Sequence, residues 1–224
     1  MEKLTLFDLF AKGQWAMWPL LIFSIITVTI ILERLIYIFY HNLSIAKVSK
    51  NVLGKIKERN IEGAKEFLRN CKKRIACAPI ILSGLSVLEL GEHRMEKVIE
   101  AGAAGKISEL ERGFSILVAL GSLAPITGFL GTVSGMITAF QSIANASDVN
   151  AQLVANGIFE ALITTAFGLV IAIVAVAGFN FLSFFVDKFI ADMEQLGNEV
   201  LGSALLAGTD NGKNTDKVLV LNEN

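Results

Sequence analysis

Charged residues are scarce in this sequence, and long stretches of it have none. Only 18% of the 224 residues are charged, against about 25% in average soluble proteins, and the mean hydropathy is +0.58. The stretches without charge are residues 13–32, 113–147 and 161–186. Because about 20 apolar residues cross the hydrocarbon core of a bilayer, this pattern predicts three transmembrane helices and argues against an ordinary soluble domain.

Residues that bind metals or carry out catalysis are equally few. The chain has two histidines and two cysteines. Cys71 and Cys77 have no neighbouring histidine or second cysteine pair, so we expect reduced thiols and no metal site. No predicted span contains histidine, and neither an HExxH motif nor a serine–histidine pair at membrane depth is present. The sequence therefore argues against an intramembrane enzyme and implies no cofactor.

Lysine and arginine are missing from one side of the predicted spans. Residues 144–159 contain none, whereas residues 41–112 contain fourteen. Positive residues are enriched in the cytoplasmic segments of membrane proteins, so the middle segment is predicted to be cytoplasmic and the short connector to face outward. The N-terminus is then outside and the C-terminus inside.

The predicted fold class is an all-α membrane protein. We predict an outer amphipathic segment at 1–14, spans at 15–40, 113–143 and 157–186, a cytoplasmic helical region at 41–112, an outer loop at 144–156, a helical extension at 187–205 and a mobile tail at 206–224. The cytoplasmic region should break near Gly54 or Asn60, and a further helix should begin at Ala78. No turn cluster separates residues 92–112 from the second span, so one continuous helix is predicted there. The third span is likewise expected to continue into the cytoplasm.

Two of the spans carry narrow faces of small and hydroxyl-bearing residues. At about 100° per residue, one arc of the third span holds Ala161, Thr164, Thr165, Gly168, Ala172 and Ala175. One arc of the second span holds Gly121, Ala124, Pro125, Gly128, Gly131, Thr132, Gly135 and Ala139. Such faces are compatible with close helix packing or with the lining of a polar path, and the pattern alone leaves both open.

Glu160 is the only Asp, Glu, His, Lys or Arg within the predicted spans at 113–143 and 157–186, and it lies near the outer end of the third. It either reaches the outer headgroups as a surface carboxylate or faces the interior of a bundle. Thr132, Thr164 and Thr165 lie deeper, where hydroxyls can solvate a hydrated ion or bond to a carboxyl group. Past Glu160 the second and third spans contain no Asp, Glu, His, Lys or Arg. If ions cross the membrane here, another chain must supply the deep titrating group.

Several motifs resemble the MotA/TolQ/ExbB proton-channel family. They are LERGF (110–114) with APITGFLGTVSGMITAF (124–140), and GIFEALITTAFGLVIAI (157–173) followed by Phe179 and Asn180. MWPLLIFS (17–24) and ERLIY (33–37) are similar to the ExbB group in particular. The resemblance covers nearly the whole chain.

The resemblance implies an inner-membrane subunit that forms a homopentamer around two helices of an ExbD-like single-span partner. That partner would carry a transmembrane aspartate, and a TonB-like transducer would carry the work of proton flow to the outer membrane. Thr132 and Thr165 match threonines that would face the aspartate, Thr164 is an additional hydroxyl, and Glu160 matches a glutamate near the outer entrance. The small residues expected to pack around the partner are Gly121, Ala124, Pro125, Gly128, Gly131, Gly135, Ala161, Gly168 and Ala172.

The sequence departs from the family pattern at Val174, where the family often has proline. A proline would favour a kink, so the third span is expected to be straighter here. Three predicted spans argue against a flagellar stator, which has four. A TolQ-like subunit of an envelope system and a passive membrane scaffold remain as alternatives.

Overall fold

The computed structural model describes residues 14–41, 43, 45–71, 75–144 and 151–221, which are mostly helical. The α-helices in this part of the chain are α1 (Met17–Tyr40), α2 (Ala46–Lys57), α3 (Ile61–Asn70), α4 (Ala78–Ser86), α5 (Glu92–Leu110), α6 (Phe114–Ala144) and α7 (Ala151–Leu221). Short 3₁₀ helices precede α1 at Gln14–Ala16 and α5 at Leu88–Leu90. Side chains are not described at residues 14, 151, 153, 156, 160 and 207–221. The predicted all-α fold class is confirmed.

Three helical stretches are long and apolar enough to cross a membrane, as predicted. They are Met17–Tyr40, Glu92–Ala144 and Gly157–Leu206. α1 and α6 begin and end within two residues of the predicted spans. Residues 1–13 of the predicted outer segment (1–14) and six of the thirteen residues of the predicted outer loop (144–156), at 145–150, lie outside the described residues.

The prediction of one continuous helix through residue 113 is wrong. α5 ends at Leu110, three turn residues follow, and α6 begins at Phe114. Gly113 has φ +89°, a left-handed conformation that glycine adopts without the steric cost of a Cβ atom. Its carbonyl oxygen accepts hydrogen bonds from the N–H groups of Ile116 and Leu117 and so starts the new helix. A single glycine thus interrupts a helix that the sequence pattern on both sides of it predicts to be continuous.

The last helix is longer at both ends than predicted. α7 begins at Ala151, six residues before the predicted span, and runs to Leu221. Alanine, glutamine and leucine in AQLVAN are good helix formers, which favours this earlier start. Residues 151–156, which were predicted to belong to the outer loop, are helical, and the residues after 205 remain helical as far as Leu221. The mobility of this tail stays a prediction.

One compact unit contains α1 up to Arg34, α6, and α7 up to Leu182. Its core is a cluster of buried apolar side chains from all three helices: Met17, Leu20, Ala124, Ile163 and Ile171, with Phe23 and Phe167 packed against it. Near the start of α1, the Trp15 indole N–H donates to the Ser134 hydroxyl at 3.1 Å. At the other end, Phe114 and Phe179 make an edge-to-face contact with ring centroids 5.7 Å apart.

The second unit contains the end of α1 from Leu35, helices α2 to α5, and α7 from Ser183. Of the two predicted positions for a break, Gly54 lies inside α2, and the break is at Asn60, whose side chain caps α3 by accepting a hydrogen bond from the Gly63 N–H at 2.7 Å. The predicted helix start at Ala78 is also confirmed. Both cysteines are free thiols, and burial raises the pKa of Cys77 to about 12. That thiol is therefore almost fully protonated at neutral pH.

Candidate ion-pathway site

The small faces of α6 and α7 pack against each other within this chain. A Cβ atom placed on Gly128 would lie 2.7 Å from the Thr164 carbonyl oxygen and 3.1 Å from the Thr165 Cα. One placed on Gly168 would lie 2.5 Å from the Ala124 carbonyl oxygen. Only glycine allows two helix backbones to come this close, so part of the small-residue pattern is explained by direct helix packing.

This close contact extends along both helices. A Cβ on Gly135 would lie 3.3 Å from the Cβ of Ala161, and one on Gly121 would lie 2.9 Å from a methyl group of Val176. Of the nine residues predicted to pack around a partner helix, six are buried: Ala124, Gly128, Gly131, Ala161, Gly168 and Ala172. The other three, Gly121, Pro125 and Gly135, are half-buried. Contact of these nine residues with a partner stays a prediction.

Three threonines lie at the centre of this contact, but they are not equivalent. Thr164 is buried, 2% exposed, and its hydroxyl lies 2.8 Å from the Ala161 carbonyl oxygen and 3.2 Å from that of Gly128. Both oxygens belong to the helix backbones. Thr164 is therefore enclosed between the helices, where it can bond to either backbone.

Thr132 and Thr165 form a half-buried pair whose hydroxyl groups are in direct hydrogen-bond contact. The Thr132 hydroxyl also lies 2.9 Å from the Ala161 carbonyl oxygen, and the Thr165 hydroxyl lies 3.1 Å from that of Gly128. The two hydroxyls carry two protons in total. When one proton bridges the pair and the other binds a backbone carbonyl, oxygen lone pairs remain free to accept a hydrogen bond from an incoming group.

The pair lies on the side of α6 and α7 away from α1. On α6, Ser134 bonds to Trp15 of the preceding 3₁₀ helix, and it is turned about 160° from Thr132. On α7, Ile163 packs in the cluster with Met17 and Leu20, and it is turned about 160° from Thr165. α1 therefore covers one flank of the two helices and leaves the hydroxyl pair on the other.

The part of the chain with described side chains supplies no titratable partner for this pair. Thr132, Thr164 and Thr165 are brought together, whereas the side chain of Glu160 is not described, so its predicted place at the entrance stays a prediction. No group of three or more His, Cys, Asp or Glu residues that could hold a metal ion occurs among the described residues. The site consists of neutral hydroxyls and backbone carbonyls.

A second polar cluster, in the unit that contains α5, was not predicted. The Tyr37 hydroxyl bonds to the Glu109 carboxylate, and the Lys106 ammonium donates to both, at 2.9 Å to Tyr37 and 2.8 Å to Glu109. Tyr37 also stacks on His41, with ring centroids 4.2 Å apart. The spacing of Lys106 and Glu109, three residues apart on a helix, is a local signal that could have indicated their ion pair. Nothing local in the sequence indicates that Tyr37 joins them.

Hydrogen bonds determine the protonation of this cluster. Burial alone would lower the pKa of Lys106, but the bonds to Glu109 and Tyr37 outweigh it and raise that pKa. The bond from Lys106, followed by the bond from Tyr37, lowers the pKa of Glu109. Both residues therefore stay charged over a wide range of pH, unlike the neutral threonine pair.

Comparisons with known proteins agree with this architecture. The model of the MotA/TolQ/ExbB proton channel family matches residues 70–195. The chain is 31% identical over 190 residues to the biopolymer transport protein exbB1 of Vibrio cholerae, covering 82% of this chain and 81% of the relative. It is 34% identical over 182 residues to an ExbB-like biopolymer transport protein of Synechocystis, covering 79% and 70%. A shorter match, 44% over 78 residues, is to the Tol-Pal system protein TolQ of Haemophilus influenzae and covers 35% of this chain and 34% of TolQ.

The matched region contains α4, α5, α6 and most of α7, and hence the threonine pair. The chain belongs to the MotA/TolQ/ExbB proton channel family. It is accordingly a membrane protein with several spans, in a family of channel and motor subunits.

Proposed function

We propose that this protein is the ExbB-type subunit of an inner-membrane complex that uses proton motive force to energise TonB-dependent transport across the outer membrane. The observation that carries the proposal is the half-buried pair Thr132 and Thr165, which offers hydrogen-bond acceptors but no titratable group. A proton path built on this pair is incomplete without an acid from elsewhere. An ExbD-like single-span partner with a transmembrane aspartate would complete it.

In this mechanism the partner's carboxyl group carries the proton and the threonine pair stabilises its protonated form. A protonated carboxyl group donates one hydrogen bond, which the free lone pairs of Thr132 or Thr165 can accept. When the carboxyl group loses its proton, that donor is gone and the contact weakens. The alternation would let the partner's helices shift relative to this subunit as protons pass.

We propose a homopentamer around two partner helices, with the N-terminus in the periplasm and the C-terminus in the cytoplasm. The fourteen lysines and arginines of residues 41–112 support this orientation. Glu160 would attract cations to the periplasmic entrance. The burial of Thr164 supports a role in holding α6 against α7, in place of the contact with ions that its sequence position suggested.

The test is proton flux in proteoliposomes that contain this subunit and its partner, measured with a trapped pH-sensitive dye. We expect Thr132→Ala and Thr165→Ala to reduce flux strongly. Thr138→Ala is the matched control, since Thr138 is exposed on α6 and bonds only to the Ser134 carbonyl oxygen one turn back. Unchanged flux in both pair variants would favour a passive scaffold.

A TolQ-like role in the Tol-Pal envelope system is the second candidate, supported by the 44% identity over 78 residues. Expression in strains that lack either the ExbB or the TolQ subunit separates the two. We expect restored TonB-dependent uptake without restored envelope integrity. The reverse result would assign the protein to the Tol-Pal system.

A further inference from the structure

A groove runs between α5 and α7 in the unit that also contains helices α2 to α4. Its volume is about 370 Å³, at the lower end of the roughly 300–1,000 Å³ found for ligand pockets, so it has room for a few side chains but not for a whole helix. The two helices touch at its floor, where a Cβ atom placed on Gly197 would lie 3.3 Å from a methyl group of Ile99. The apolar lining continues along both helices and includes Ile107, Ile190 and Leu201, which are half-buried.

The edges of the groove carry charge of one sign. Glu96 and Glu100 are exposed and one turn apart on α5, and the exposed Glu194 lines the groove from α7. No lysine or arginine is among the described residues that line it. The ring nitrogen of His93 lies 3.9 Å from the Glu96 carboxylate, whereas Glu100 and Glu194 make no ion pair with any side chain that the structure describes. The groove therefore combines an apolar floor with carboxylates that its own chain does not neutralise.

The groove begins close to the predicted spans on both helices. On α7, Ile190 is four residues past the predicted inner end of the third span at 186, which is about 6 Å along the helix. On α5, Ile107 is six residues before the predicted start of the second span at 113. A segment that leaves the membrane beside these two spans would therefore reach the groove within a few residues.

The proposed single-span partner would supply a segment of the matching charge at this position. Such a protein has one flank on the cytoplasmic side, and lysine and arginine are enriched within about 15–20 residues of the span on that side. Lysine and arginine also pack their methylene stems on apolar surface while their charged ends extend to its edge. A short cationic segment thus fits an apolar floor that is bordered by carboxylates.

We propose that the groove binds the cytoplasmic flank of the ExbD-like partner through Glu96, Glu100 and Glu194. This role rests on the proposed function. It gives the partner a second contact with the subunit, outside the membrane, in addition to the contact proposed for the threonine pair.

The first test measures binding of a fluorescently labelled synthetic peptide of the partner's cytoplasmic flank to the purified full-length chain in detergent. We expect the Kd to rise severalfold in Glu100→Gln and in Glu194→Gln, and binding to the wild type to weaken as salt is added. Glu92→Gln is the matched control, because Glu92 is an exposed carboxylate of α5 that does not line the groove. Its Kd should equal that of the wild type.

The second test identifies the occupant in the intact complex of this subunit with its partner. A photoreactive amino acid is placed at Ala104, which is exposed and lines the groove, or at Ala101, which is exposed on α5 but does not line it. We expect position 104 to form cross-links to the partner's cytoplasmic flank and position 101 to form none.

Three results would overturn the proposal. The first is a peptide that does not bind, or that binds Glu100→Gln and Glu194→Gln as tightly as the wild type. The second is a loss in Glu92→Gln as large as that in the groove variants, which would mean that only the overall charge matters. The third is a cross-link from position 104 that joins two copies of this chain, which would make a second copy the occupant.

Failure of the proposed function would give a different pattern. Proton flux that is unchanged in Thr132→Ala and Thr165→Ala, together with peptide binding that depends on the glutamates, would refute the ion pathway and leave the docking site standing. Flux that depends on the threonines, without binding of the peptide, would refute the docking site alone.

Discussion

The two polar clusters of this protein are built on opposite principles. The pair Thr132 and Thr165 is neutral, half-buried and bonded to backbone carbonyls between two helices that meet through glycine. The cluster of Tyr37, Lys106 and Glu109 is charged and balanced by its own ion pair. Under the proposed function, the first would respond to a proton that arrives on another molecule, whereas the second holds its charges constant. The threonine pair would then serve proton movement without containing a titratable side chain.

The forces that pack the helices around the two polar clusters also differ. In lipid, apolar burial gives little drive for helix association, so the contact of α6 with α7 depends on close backbone approach and interhelical hydrogen bonds. In the unit that contains α2 to α5, amphipathic helices bury residues such as Val48, Val52 and Ile56. There the hydrophobic effect supplies the stability. Substitution of the tightly packed Gly128 and of the open Gly105 should therefore have opposite effects.

The largest expected effect is that of Gly128→Ala. The new methyl group would lie 2.7 Å from a backbone carbonyl oxygen that cannot move without shifting α7. Overpacking of this kind costs about 1–3 kcal/mol. Gly105→Ala is the control, since no atom lies within 4 Å of a Cβ placed there. On helix propensity it should stabilise α5 by about 0.5–1 kcal/mol. Thermal unfolding in detergent measures both, and equal behaviour of the two variants would contradict the proposed role of close packing.

The second-largest expected effect is a loss of proton flux when the pair of Thr132 and Thr165 hydroxyls is changed. Thr165→Val keeps the shape of the side chain but removes a hydrogen bond to a proton-carrying group, worth about 1.5–3 kcal/mol, so proton flux with the partner should fall about tenfold or more. Thr165→Ser should retain most of the flux, because the hydroxyl remains. A valine variant that is as active as the serine variant would show that the hydroxyl is not used.

We expect a smaller loss of gradient-driven uptake for Glu160→Gln. If Glu160 concentrates cations at the entrance, its effect acts through a field that salt screens, and its removal should matter less than that of a direct hydrogen bond. Gradient-driven uptake, measured for Glu160→Gln and Thr165→Val at low and high salt, checks this order. Equal losses that do not depend on salt would place Glu160 in direct contact with the moving proton.

The smallest effect is the pH dependence of the charged cluster. The pKa of Glu109 is lowered, so its contribution to stability is present above the ordinary pKa of a glutamate and is lost as the pH falls through the lowered value. The pKa of Lys106 is raised, so its contribution is present below the ordinary pKa of a lysine and is lost as the pH rises through the raised value. Between about pH 5 and pH 10 the cluster should contribute a constant amount.

Unfolding of the wild type and of Glu109→Gln, measured against pH, checks this window. We expect the difference in stability between them to be constant near neutral pH and to shrink in acid. Lys106→Gln tests the other member of the ion pair in the same way. Lys97→Gln is its control, because both residues lie on α5 and Lys97 is exposed. A difference that changes steeply around neutral pH would contradict the constant charge of this cluster.

The sequence was sufficient to predict the three spans, because runs without charge are local signals, and it narrowed the helix break to Gly54 or Asn60, of which the structure has Asn60. The interruption at Gly113 was missed, since one glycine in a helical pattern does not reveal its φ angle. The faces of α6 and α7 were identified correctly as narrow, but a helix projection does not show which surface each face meets. Thr164 and Thr165 lie on the same predicted arc, yet one is enclosed and the other is half-buried.

The most direct test of the central claim is a disulfide scan against the partner. In a background with Cys71 and Cys77 replaced by alanine, single cysteines are placed at Thr132, Thr165 and the exposed Ile137, and one cysteine is placed beside the partner's transmembrane aspartate. We expect oxidative cross-links from positions 132 and 165 and none from position 137, which is turned about 140° from Thr132 on α6. Cross-links from position 137, with none from 132 or 165, would show that the hydroxyl pair faces away from the partner and that it has no part in a proton path with the partner's aspartate.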